Sequence, residues 1–452
     1  MPEREFDVVV LGAGPAGEVC AGRLAEGGLE VAIVESHLIG GECSFYACMP
    51  SKGLLRPGEL LAEVRRIPGV REAVTGELDV AAVLARRDEI IHDLDDSSME
   101  PWLADQGIAI VRGHGRLDGE RRVAVGDDTL LARRAVVVAT GGAAVPPIDG
   151  LREARPWTNR EITTTKRIPG RLAVLGGGVV GVEMAQAYTS LGARVTVVEA
   201  LDRLISNEEP FASEQVAEAL RAAGADVRTG VKARAVRAGG GEVAVELEDG
   251  AGLTADELLV AIGRKPVTDD IGLDTVGIEP GKPMEVDDRM RANDWLYAIG
   301  DVNGRVLLTH MGKYQGRVAA DVILGRDARV VEDGIRSPRV IFTDPQVAAV
   351  GYTLGAARDA GLNVRAVDVS TQGVAGGSYY GRDAPGTCRL VVDEDRRVLA
   401  GATFTGFEVA DFLHAATIAV VGEVPLERLW HAVPSFPTRS EVWLRLLEEY
   451  GL

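Results

Sequence analysis

The sequence predicts a mixed α/β protein with two doubly wound, three-layer domains and a C-terminal α+β domain. Residues 6–35 have the pattern of a strand, a glycine turn, a helix and a second strand, and the same pattern returns at residues 171–199. The first glycine and the closing glutamate have the same separation in both copies, Gly12 to Glu35 and Gly176 to Glu199. From about residue 336 the pattern changes to alternating strands and two helices, which is typical of a mostly antiparallel sheet with helices.

The remaining segments connect these units in a definite order. A helical stretch at about 79–106 is followed by short alternating strands and by the buried run AVVVATGG. Two further strands end in glycine, in LLVAIGRKP and in LYAIGDVNG. We therefore predict one domain from residues 1–150 and 266–335, a second from 151–265, and a third from 336–452.

Composition excludes several classes of protein. The 452 residues are 46% hydrophobic and 26% charged, and the net charge of −19 argues against nucleic acid or an anionic membrane as partner. The acidic start MPEREFDVVV is not a signal peptide, and no apolar run approaches the roughly 18 residues of a membrane span. Four cysteines do not make a secreted disulfide scaffold, so we expect a cytoplasmic protein.

Both glycine turns fit the pattern GxGxxG between a strand and a helix. In this pattern the first glycine makes the turn, the second lets a pyrophosphate approach the backbone, and the third allows close packing of helix and strand. An acid at the end of the next strand is placed to bind a ribose diol. The residues are Gly12, Gly14, Gly17 and Glu35 in the first copy, and Gly176, Gly178, Gly181 and Glu199 in the second.

Two complete fingerprints predict two dinucleotide sites, one for a flavin dinucleotide and one for a nicotinamide. Glu199 favours NAD over NADP, because its carboxylate would repel a 2′-phosphate. Arg194 and Arg203 flank Glu199 and weaken that exclusion.

The segment GGECSFYACMPSK places Cys43 and Cys48 five positions apart. In a regular helix such residues are about 7.5 Å apart along the axis and lie nearly on opposite faces. A bridge between them would therefore have to sit in a turn or a distorted helix start, and Pro50 fits a first helical turn. Spacing alone leaves two readings open, a strained and reducible pair or two unrelated buried cysteines.

The chain as a whole resembles the flavoprotein disulfide reductases, the family of dihydrolipoamide dehydrogenase, glutathione reductase and mercuric reductase. The resemblance covers nearly the whole chain and rests on the order and spacing of its motifs. These are GAGPAG with Glu35, GGECSFYACMPSK, ATGG, GGGVVGVE, AIGRKP, AIGDV, THMGKYQGRVA and FTDPQVAAVGYT. It implies FAD in the first dinucleotide site, NAD(P)H in the second, and a homodimer formed by the C-terminal domain.

The resemblance also implies roles for individual residues. Cys43 corresponds to the thiol that attacks substrate, and Cys48 to the thiol against the flavin ring. Lys52 and Glu183 correspond to the ion pair beside the flavin. The remaining FAD contacts would be Gly115, Thr140, Gly141, Asp301 and Thr309, with Lys52. Ala233 and Gly263 would line the nicotinamide nucleotide.

The chain departs from the family at its acid–base residue, a histidine in the pattern HPTxxE supplied by the partner subunit. The matching stretch WHAVPSFPTRSE places Phe436 at the histidine position, or Val433 in an alternative alignment. Glu441, which would orient that histidine, is retained, and His431 is a weak candidate to replace it. The chain ends EEYGL with no cysteine pair, which argues against a mercuric reductase or a large thioredoxin reductase.

The other cysteines and histidines carry no recognisable pattern. Cys20 and Cys388 are expected in the core, and the scattered histidines have no metal-ligand spacing, so we expect no metal site. His310, next to Thr309, has no assigned role.

Three functional hypotheses follow. The first is an FAD enzyme that passes electrons from NADH through Cys43 and Cys48 to a small disulfide. The second is an NADH-dependent quinone, dye or metal-ion reductase, and the third is a flavin-bearing scaffold or sensor without turnover. In each case the expected partners are a small molecule and a second copy of the chain, with no nucleic acid and no membrane.

Overall fold

The computed structural model describes residues 3–144, 148–381 and 386–452. Its strands are β1 (Glu3–Leu11), β2 (Val31–Glu35), β3 (Ala109–Arg112), β4 (Gly115–Leu117), β5 (Arg122–Val125), β6 (Asp128–Val138), β7 (Gly142–Ala144), β8 (Arg171–Leu175), β9 (Arg194–Val198), β10 (Asp226–Arg228), β11 (Ala233–Gly239), β12 (Glu242–Leu247), β13 (Gly252–Ala255), β14 (Glu257–Val260), β15 (Arg264–Pro266), β16 (Leu296–Ala298), β17 (Arg339–Ile341), β18 (Gln346–Gly351), β19 (Val364–Ser370), β20 (Thr387–Asp393) and β21 (Val398–Gly406). Its α-helices are α1 (Pro15–Glu26), α2 (Gly41–Phe45), α3 (Cys48–Arg66), α4 (Val80–Ile90), α5 (Glu100–Asp105), α6 (Leu151–Ala154), α7 (Asn159–Thr164), α8 (Val179–Ser190), α9 (Pro210–Ala222), α10 (Thr309–Ile323), α11 (Leu354–Asp359), α12 (Leu413–Val421), α13 (Leu426–Leu429) and α14 (Val442–Tyr450). Among the 3-10 helices are Gly300–Asn303, Ala375–Tyr380 and Arg439–Glu441.

The chain forms two compact units, each built from segments that are distant in sequence. The first unit comprises Met1–Pro50, Arg87–Val145 and Gly263–Gly334. The second comprises Ser51–Arg86, Pro146–Ile262 and Ile335–Leu452. The finer division into three domains, with boundaries at 150, 265 and 335, stays a prediction.

The first unit is built on a sheet with the strand order β3-β2-β1-β6-β5-β4, and β16 pairs with the end of β6. The strands β3, β2, β1, β6 and β16 run parallel, whereas β4 and β5 pair in antiparallel fashion. Along β1, Val8 and Val10 pack into one hydrophobic core, and Val9 and Leu11 pack into another. This explains the unbroken apolar run of β1, because both faces of a parallel sheet are covered.

Helices α1 and α10 pack closely against each other in the first unit. A Cβ atom added at Gly316 would lie 2.7 Å from the carbonyl oxygen of Ala16. One added at Gly312 would lie 3.3 Å from the Cβ of Ala16. These two glycines therefore allow the N-terminal half of α10 to lie against the first turn of α1.

The second unit contains a second parallel sheet with the order β10-β9-β8-β14, and a separate antiparallel sheet β11-β12-β13. Strand β8 repeats the pattern of β1. Leu172 and Val174 pack into one core, and Ala173 and Leu175 pack into another.

The C-terminal part of the second unit is a five-stranded antiparallel sheet with the order β17-β18-β21-β20-β19. Helices α12 and α14 contribute Ala416, Val442 and Leu446 to its core. The predicted fold class, mixed α/β followed by an α+β domain with an antiparallel sheet, is confirmed.

Candidate active site

The first glycine turn has the geometry that its sequence predicts. Gly12 has φ +107°, and a Cβ atom there would lie 2.4 Å from the carbonyl oxygen of Ala139. A Cβ at Gly17 would lie 2.0 Å from the carbonyl oxygen of Gly12, so only glycine allows this helix to approach the strand. At Gly14, by contrast, no atom of the described residues lies within 4 Å of an added Cβ. The middle position is thus open, as a site for pyrophosphate requires.

The second glycine turn repeats this geometry. Gly176 has φ +104°, and an added Cβ would lie 2.4 Å from the carbonyl oxygen of Ala261. A Cβ at Gly181 would lie 1.9 Å from the carbonyl oxygen of Gly176, whereas the Cβ position at Gly178 is again open. Both turns lead directly into a helix of 12 residues, α1 or α8, and a helix N-terminus favours a bound anion. The residues present therefore fit two dinucleotides.

The carboxylates of Glu35 and Glu199 are oriented by backbone N–H groups in the same way. Glu35 accepts hydrogen bonds from the N–H of Ala13 at 2.8 Å and of His37 at 2.7 Å. Glu199 accepts from the N–H of Gly177 at 2.5 Å and of Leu201 at 2.7 Å. Each acid is therefore held at the end of its strand, beside the glycine turn.

The other predicted FAD contacts belong to the first unit, except Lys52, which lies in the second. Gly115 begins β4, and a Cβ there would press on the side chains of Leu11 and Val34. The hydroxyl of Thr140 donates to the carbonyl oxygen of Val267 at 2.7 Å, and Gly141 has φ +73°.

Asp301 lies in the 3-10 helix Gly300–Asn303. Burial raises the pKa of its carboxyl, and this is partly offset by Arg264, whose Nε lies 3.7 Å from Oδ2. A half-buried carboxylate of this kind is suited to accept hydrogen bonds from the hydroxyl groups of a polyol chain. Of the residues predicted for the nicotinamide nucleotide, Ala233 begins β11 and Gly263 has φ +143°.

The cysteine pair lies at a break between two helices. Cys43 is in the short helix α2, the chain leaves helical geometry at Tyr46, and Cys48 is the first residue of α3. This break is the distorted helix start that the spacing requires for a pair, and it brings the Cys43 and Cys48 thiols within hydrogen-bonding distance. All four cysteines are thiols in the structure, and Cys20 and Cys388 are buried as predicted.

Three side chains set the ionisation of the pair. The hydrogen bond with Cys48, together with burial, raises the pKa of the Cys43 thiol well above its usual value. Thr309 and Lys313, both on α10, act in the opposite direction. The Thr309 hydroxyl lies 3.4 Å from the Cys48 sulfur. The two thiols therefore do not ionise independently, and loss of a proton from one opposes its loss from the other.

Lys52 and Glu183 form an ion pair within the second unit. The Nζ of Lys52 lies 2.8 Å from Oε2 of Glu183, whose side chain is only 4% exposed. The other oxygen of Glu183 accepts from the N–H of Phe342 at 3.0 Å, and Lys52 lies over the Phe342 ring, 4.6 Å from its centre. Both oxygens of Glu183 are thus engaged, which fixes the position of the ammonium group.

The C-terminal segment is anchored by Arg439. Its guanidinium lies over the rings of Tyr380 at 4.3 Å and Phe412 at 5.2 Å, and Nη1 donates to the carbonyl oxygen of Phe407. Phe436, three residues earlier, is 75% exposed. Phe436 carries no titratable group, and its correspondence to the family's histidine stays a prediction.

Glu441 follows in the 3-10 helix Arg439–Glu441. Among the described residues, none forms a hydrogen bond to its buried Oε2. His431, the weak alternative, is exposed in the turn after α13, as is Val433. The assignments of all these site residues stay predictions.

Sequence reasoning missed three side chains that shape these sites, namely Phe342, Lys313 and Arg439. Phe342 lies in the quoted motif FTDPQVAAVGYT and Lys313 in THMGKYQGRVA, but their spacing gave no sign of what they contact. Their partners are far away in sequence, so no local pattern marks them.

Among the residues that the structure describes, no helix is long and apolar enough to span a membrane. The same residues contain no group of three or more His, Cys, Asp or Glu side chains arranged to hold a metal ion.

Comparison with known proteins identifies the family. Residues 6–316 match the model of the pyridine nucleotide-disulphide oxidoreductases, and residues 337–446 match the dimerisation domain of the same family. The chain is 31% identical over 450 residues to a dihydrolipoyl dehydrogenase of Mycobacterium tuberculosis, which covers 96% of both chains. It is 29% identical over 446 residues to a mercuric reductase of Staphylococcus aureus, which covers 97% of this chain and 81% of the relative.

A solved structure shows the same fold. The HOCl-induced flavoprotein disulfide reductase RclA of Escherichia coli matches with a TM-score of 0.86 at 24% identity, covering 98% of this chain and 99% of that one. The predicted resemblance is therefore confirmed. The chain belongs to the pyridine nucleotide-disulphide oxidoreductases, a family of FAD- and NAD(P)-dependent enzymes, and its dimerisation domain indicates a homodimer.

Proposed function

We propose that this enzyme uses NADH to reduce a small disulfide through Cys43 and Cys48. The observation that carries the proposal is the helix break that brings the two thiols together beside Thr309. Two unrelated core cysteines would not need such a break, and Cys20 and Cys388 illustrate the alternative, since both are buried in regular elements.

The thiol pair is suited to exchange with a disulfide. Thiol–disulfide exchange requires one thiolate to attack and a second thiol to resolve the mixed disulfide. We assign the attack to Cys43 and the resolving step to Cys48, which begins α3, where the helix N-terminus favours a negative charge. Lys313 on α10 adds a positive charge that favours the thiolate of Cys43.

When bound, FAD would supply the two-electron redox chemistry that links the nicotinamide to the Cys43–Cys48 pair. The first glycine turn and Glu35 would hold FAD, with Asp301 on its polyol chain. Lys52, held by Glu183, would place a fixed positive charge beside the flavin ring. The second glycine turn and Glu199 would hold the nicotinamide nucleotide.

NADH is favoured over NADPH by the contacts of two residues. Glu199 is fixed at the strand end, where its charge would repel a 2′-phosphate. Of the two arginines that flank Glu199, Arg194 lies at the opposite end of β9, and Arg203 is already engaged by the backbone. Its Nη1 donates to the carbonyl oxygen of Glu208 at 2.7 Å and its Nη2 to that of Ser206 at 2.5 Å. Arg203 therefore offers little to a 2′-phosphate.

The first experiment is an anaerobic titration of the FAD-loaded dimer with NADH, followed by its visible spectrum. We expect a long-wavelength charge-transfer band after two electrons, and we expect Cys43→Ser to abolish turnover of low-molecular-weight disulfides. Cys388→Ser, which removes a thiol outside the pair, is the matched control and should leave turnover unchanged. Simple bleaching of the flavin without that band, and disulfide turnover that survives Cys43→Ser, would overturn the proposal.

A second candidate is an NADH-dependent reductase of quinones, dyes or metal ions. It is favoured by Phe436, because such acceptors need no protonated thiol leaving group and so no base at that position. Quinone turnover that survives Cys43→Ser would support this candidate, and its loss in that variant would count against it.

A further inference from the structure

Thr309 is placed to act on both thiols of the pair through its side chain. Its hydroxyl oxygen lies 3.4 Å from the Cys48 sulfur, and the same hydroxyl is hydrogen-bonded to the Cys43 thiol. The proposed function assigns the attack to Cys43 and the resolving step to Cys48, but it gives this hydroxyl no role. Because the hydrogen of a hydroxyl rotates to suit its surroundings, Thr309 can donate to one sulfur or to the other.

The Thr309 hydroxyl is available because of its position in α10. A threonine inside a helix often donates to a carbonyl oxygen of the preceding turn. Thr164 and Thr417 do so in this chain, donating to the carbonyl oxygens of Arg160 at 2.7 Å and of Leu413 at 3.1 Å. Thr309 is the first residue of α10, so no turn of that helix precedes it. Among the described residues, its hydroxyl bonds to sulfur alone.

The start of α10 is held in place by buried contacts. The side chain of Gln315 is fully buried, and its Oε1 accepts hydrogen bonds from the N–H of Gly300 at 2.8 Å and from Nδ2 of Asn303 at 2.9 Å. In addition, Gly312 and Gly316 let α10 lie against α1. The hydroxyl at the start of this helix is therefore a preorganised donor, which needs little rearrangement when a charge develops on either sulfur.

A thiolate at Cys43 needs a donor of this kind. The hydrogen bond with Cys48, together with burial, raises the pKa of the Cys43 thiol well above its usual value. Thr309 opposes this rise more strongly than the exposed Lys313 does. Among the described neighbours of Cys43, the Thr309 hydroxyl is therefore the group that most favours the thiolate.

We propose that Thr309 is a catalytic residue whose hydroxyl donates to the Cys43 thiolate before the attack and to the Cys48 thiolate before the resolving step. This inference rests on the proposed function, because both steps belong to the reduction of a disulfide substrate. It uses the side chain of Thr309 and leaves the backbone for the predicted contact with FAD. The hydroxyl keeps its own proton throughout and follows the negative charge from one sulfur to the other.

The exchange balances without a proton transfer through Thr309. The Cys43 thiolate attacks one sulfur of the substrate, the substrate S–S bond breaks, and the departing thiolate takes a proton from solvent. The Cys48 thiol then loses its proton to solvent, and its thiolate attacks the Cys43 sulfur of the mixed disulfide. The Cys43–Cys48 disulfide forms, and the second substrate thiolate leaves and takes up a proton. The pair is oxidised by two electrons and the substrate is reduced by two.

The test measures each thiolate by itself in FAD-loaded dimers. A Cys43→Ser background leaves only the Cys48 thiol of the pair, and a Cys48→Ser background leaves only Cys43. The ultraviolet absorbance of the thiolate is titrated against pH as a difference from a variant that lacks both thiols. Each background carries Thr309→Val, which replaces the hydroxyl by a methyl group, or Thr309→Ser, which keeps the hydroxyl. Thr164→Val is the matched control, since it removes a hydroxyl that donates within its own helix.

The charged groups around the pair remain constant in this comparison. Lys313 acts on Cys43 from α10, Glu42 on α2 precedes Cys43 in sequence, and the exposed His310 follows Thr309. In each background the second thiol is replaced by serine, so its charge is absent as well. A shifted midpoint therefore reports the Thr309 hydroxyl.

We expect Thr309→Val to raise the midpoint of thiolate formation by about one to two pH units in both backgrounds, because it removes one hydrogen bond to a charged group. Thr309→Ser should restore the midpoint, and Thr164→Val should leave it unchanged. With both cysteines present, Thr309→Val should lower kcat/KM for a low-molecular-weight disulfide at least about ten-fold at neutral pH, since fewer Cys43 thiols are then ionised. FAD content should be unchanged in every variant.

Several results would overturn the inference. Unchanged midpoints or wild-type kcat/KM in Thr309→Val would show that the hydroxyl has no part in the exchange, and a shift in only one background would show that it serves one sulfur alone. A shift that Thr309→Ser does not reverse would assign the effect to packing, and loss of FAD from Thr309→Val would place the side chain in the flavin site.

Failure of the proposed function is a different result, because the midpoints are measured without a disulfide substrate. Thr309→Val would then shift both midpoints as expected, in a protein that reduces its flavin with NADH yet reduces no disulfide.

Discussion

The sharpest prediction concerns Gly178, the middle glycine of the second turn. Its backbone has φ −76° and ψ −172°, which any residue adopts, and an added Cβ meets no atom of the described residues within 4 Å. Gly178→Ala should therefore fold normally. The unfolded chain also loses conformational freedom, so the free energy of unfolding should rise by about 0.4–1 kcal/mol.

The same methyl group should weaken the binding of NADH. If the pyrophosphate approaches the backbone at Gly178, the added Cβ displaces it and weakens a hydrogen bond to a charged group, which is worth about 1.5–3 kcal/mol. That loss corresponds to an increase of about 10- to 150-fold in the Kd for NADH.

Two comparison variants separate binding from folding. Gly239→Ala, at the open and exposed end of β11, adds a methyl group away from either turn and should leave the Kd for NADH unchanged. Gly181→Ala should instead destabilise the fold by about 1–3 kcal/mol or more, because its Cβ would lie 1.9 Å from the carbonyl oxygen of Gly176.

The assays are urea denaturation for stability and equilibrium titration of NADH for binding. A Gly178→Ala protein that is stable and binds NADH with the wild-type Kd would refute the assignment of this turn to the nicotinamide nucleotide. A Gly178→Ala protein that is strongly destabilised would refute the geometric argument itself.

Two further predictions concern Glu183 and Phe436. Glu183→Gln should lower the free energy of unfolding by about 1.5–3 kcal/mol, as measured by urea denaturation. The reason is that a neutral amide cannot keep both the ion pair with Lys52 and the hydrogen bond from the N–H of Phe342. An unchanged free energy of unfolding would mean that the ion pair contributes nothing to stability. Phe436→His should raise kcat/KM for a disulfide by up to about a hundred-fold, because the unpartnered oxygen of Glu441 is available to orient an imidazole. If the gain is absent at every pH, the correspondence between Phe436 and the family's histidine is wrong.

The parts of the molecule that sequence could predict are those fixed by local spacing. Each glycine turn is determined within about one strand and one helix, so the tight contact at Gly17 and the open position at Gly14 follow from the pattern itself. The cysteine pair is similar in part, since the distance between positions 43 and 48 rules out a bridge within a continuous helix, although it left two unrelated cysteines equally possible.

The parts that sequence could not predict depend on contacts between distant segments. Glu183 and Phe342 are separated by more than 150 positions in sequence. Nothing near either residue indicates that the backbone N–H of Phe342 donates a hydrogen bond to the Glu183 carboxylate. Glu18 likewise looks like an ordinary first-turn acid of a helix until packing buries one of its oxygens beside α10. Burial of this kind depends on the tertiary structure and leaves no periodic signal in the chain.

The contacts of Arg203 have a consequence for how the nucleotide preference of this enzyme could change during evolution. If the second turn binds NADH as proposed, replacing Glu199 would remove a repulsion, but Arg203 would supply no attraction while its guanidinium is used by the loop that follows β9. Recruiting this cation for a phosphate would leave the carbonyl oxygens of Ser206 and Glu208 without their donor. A lineage changing from one dinucleotide to the other would therefore pass through an intermediate that discriminates poorly, and would need at least a second substitution to acquire the new preference.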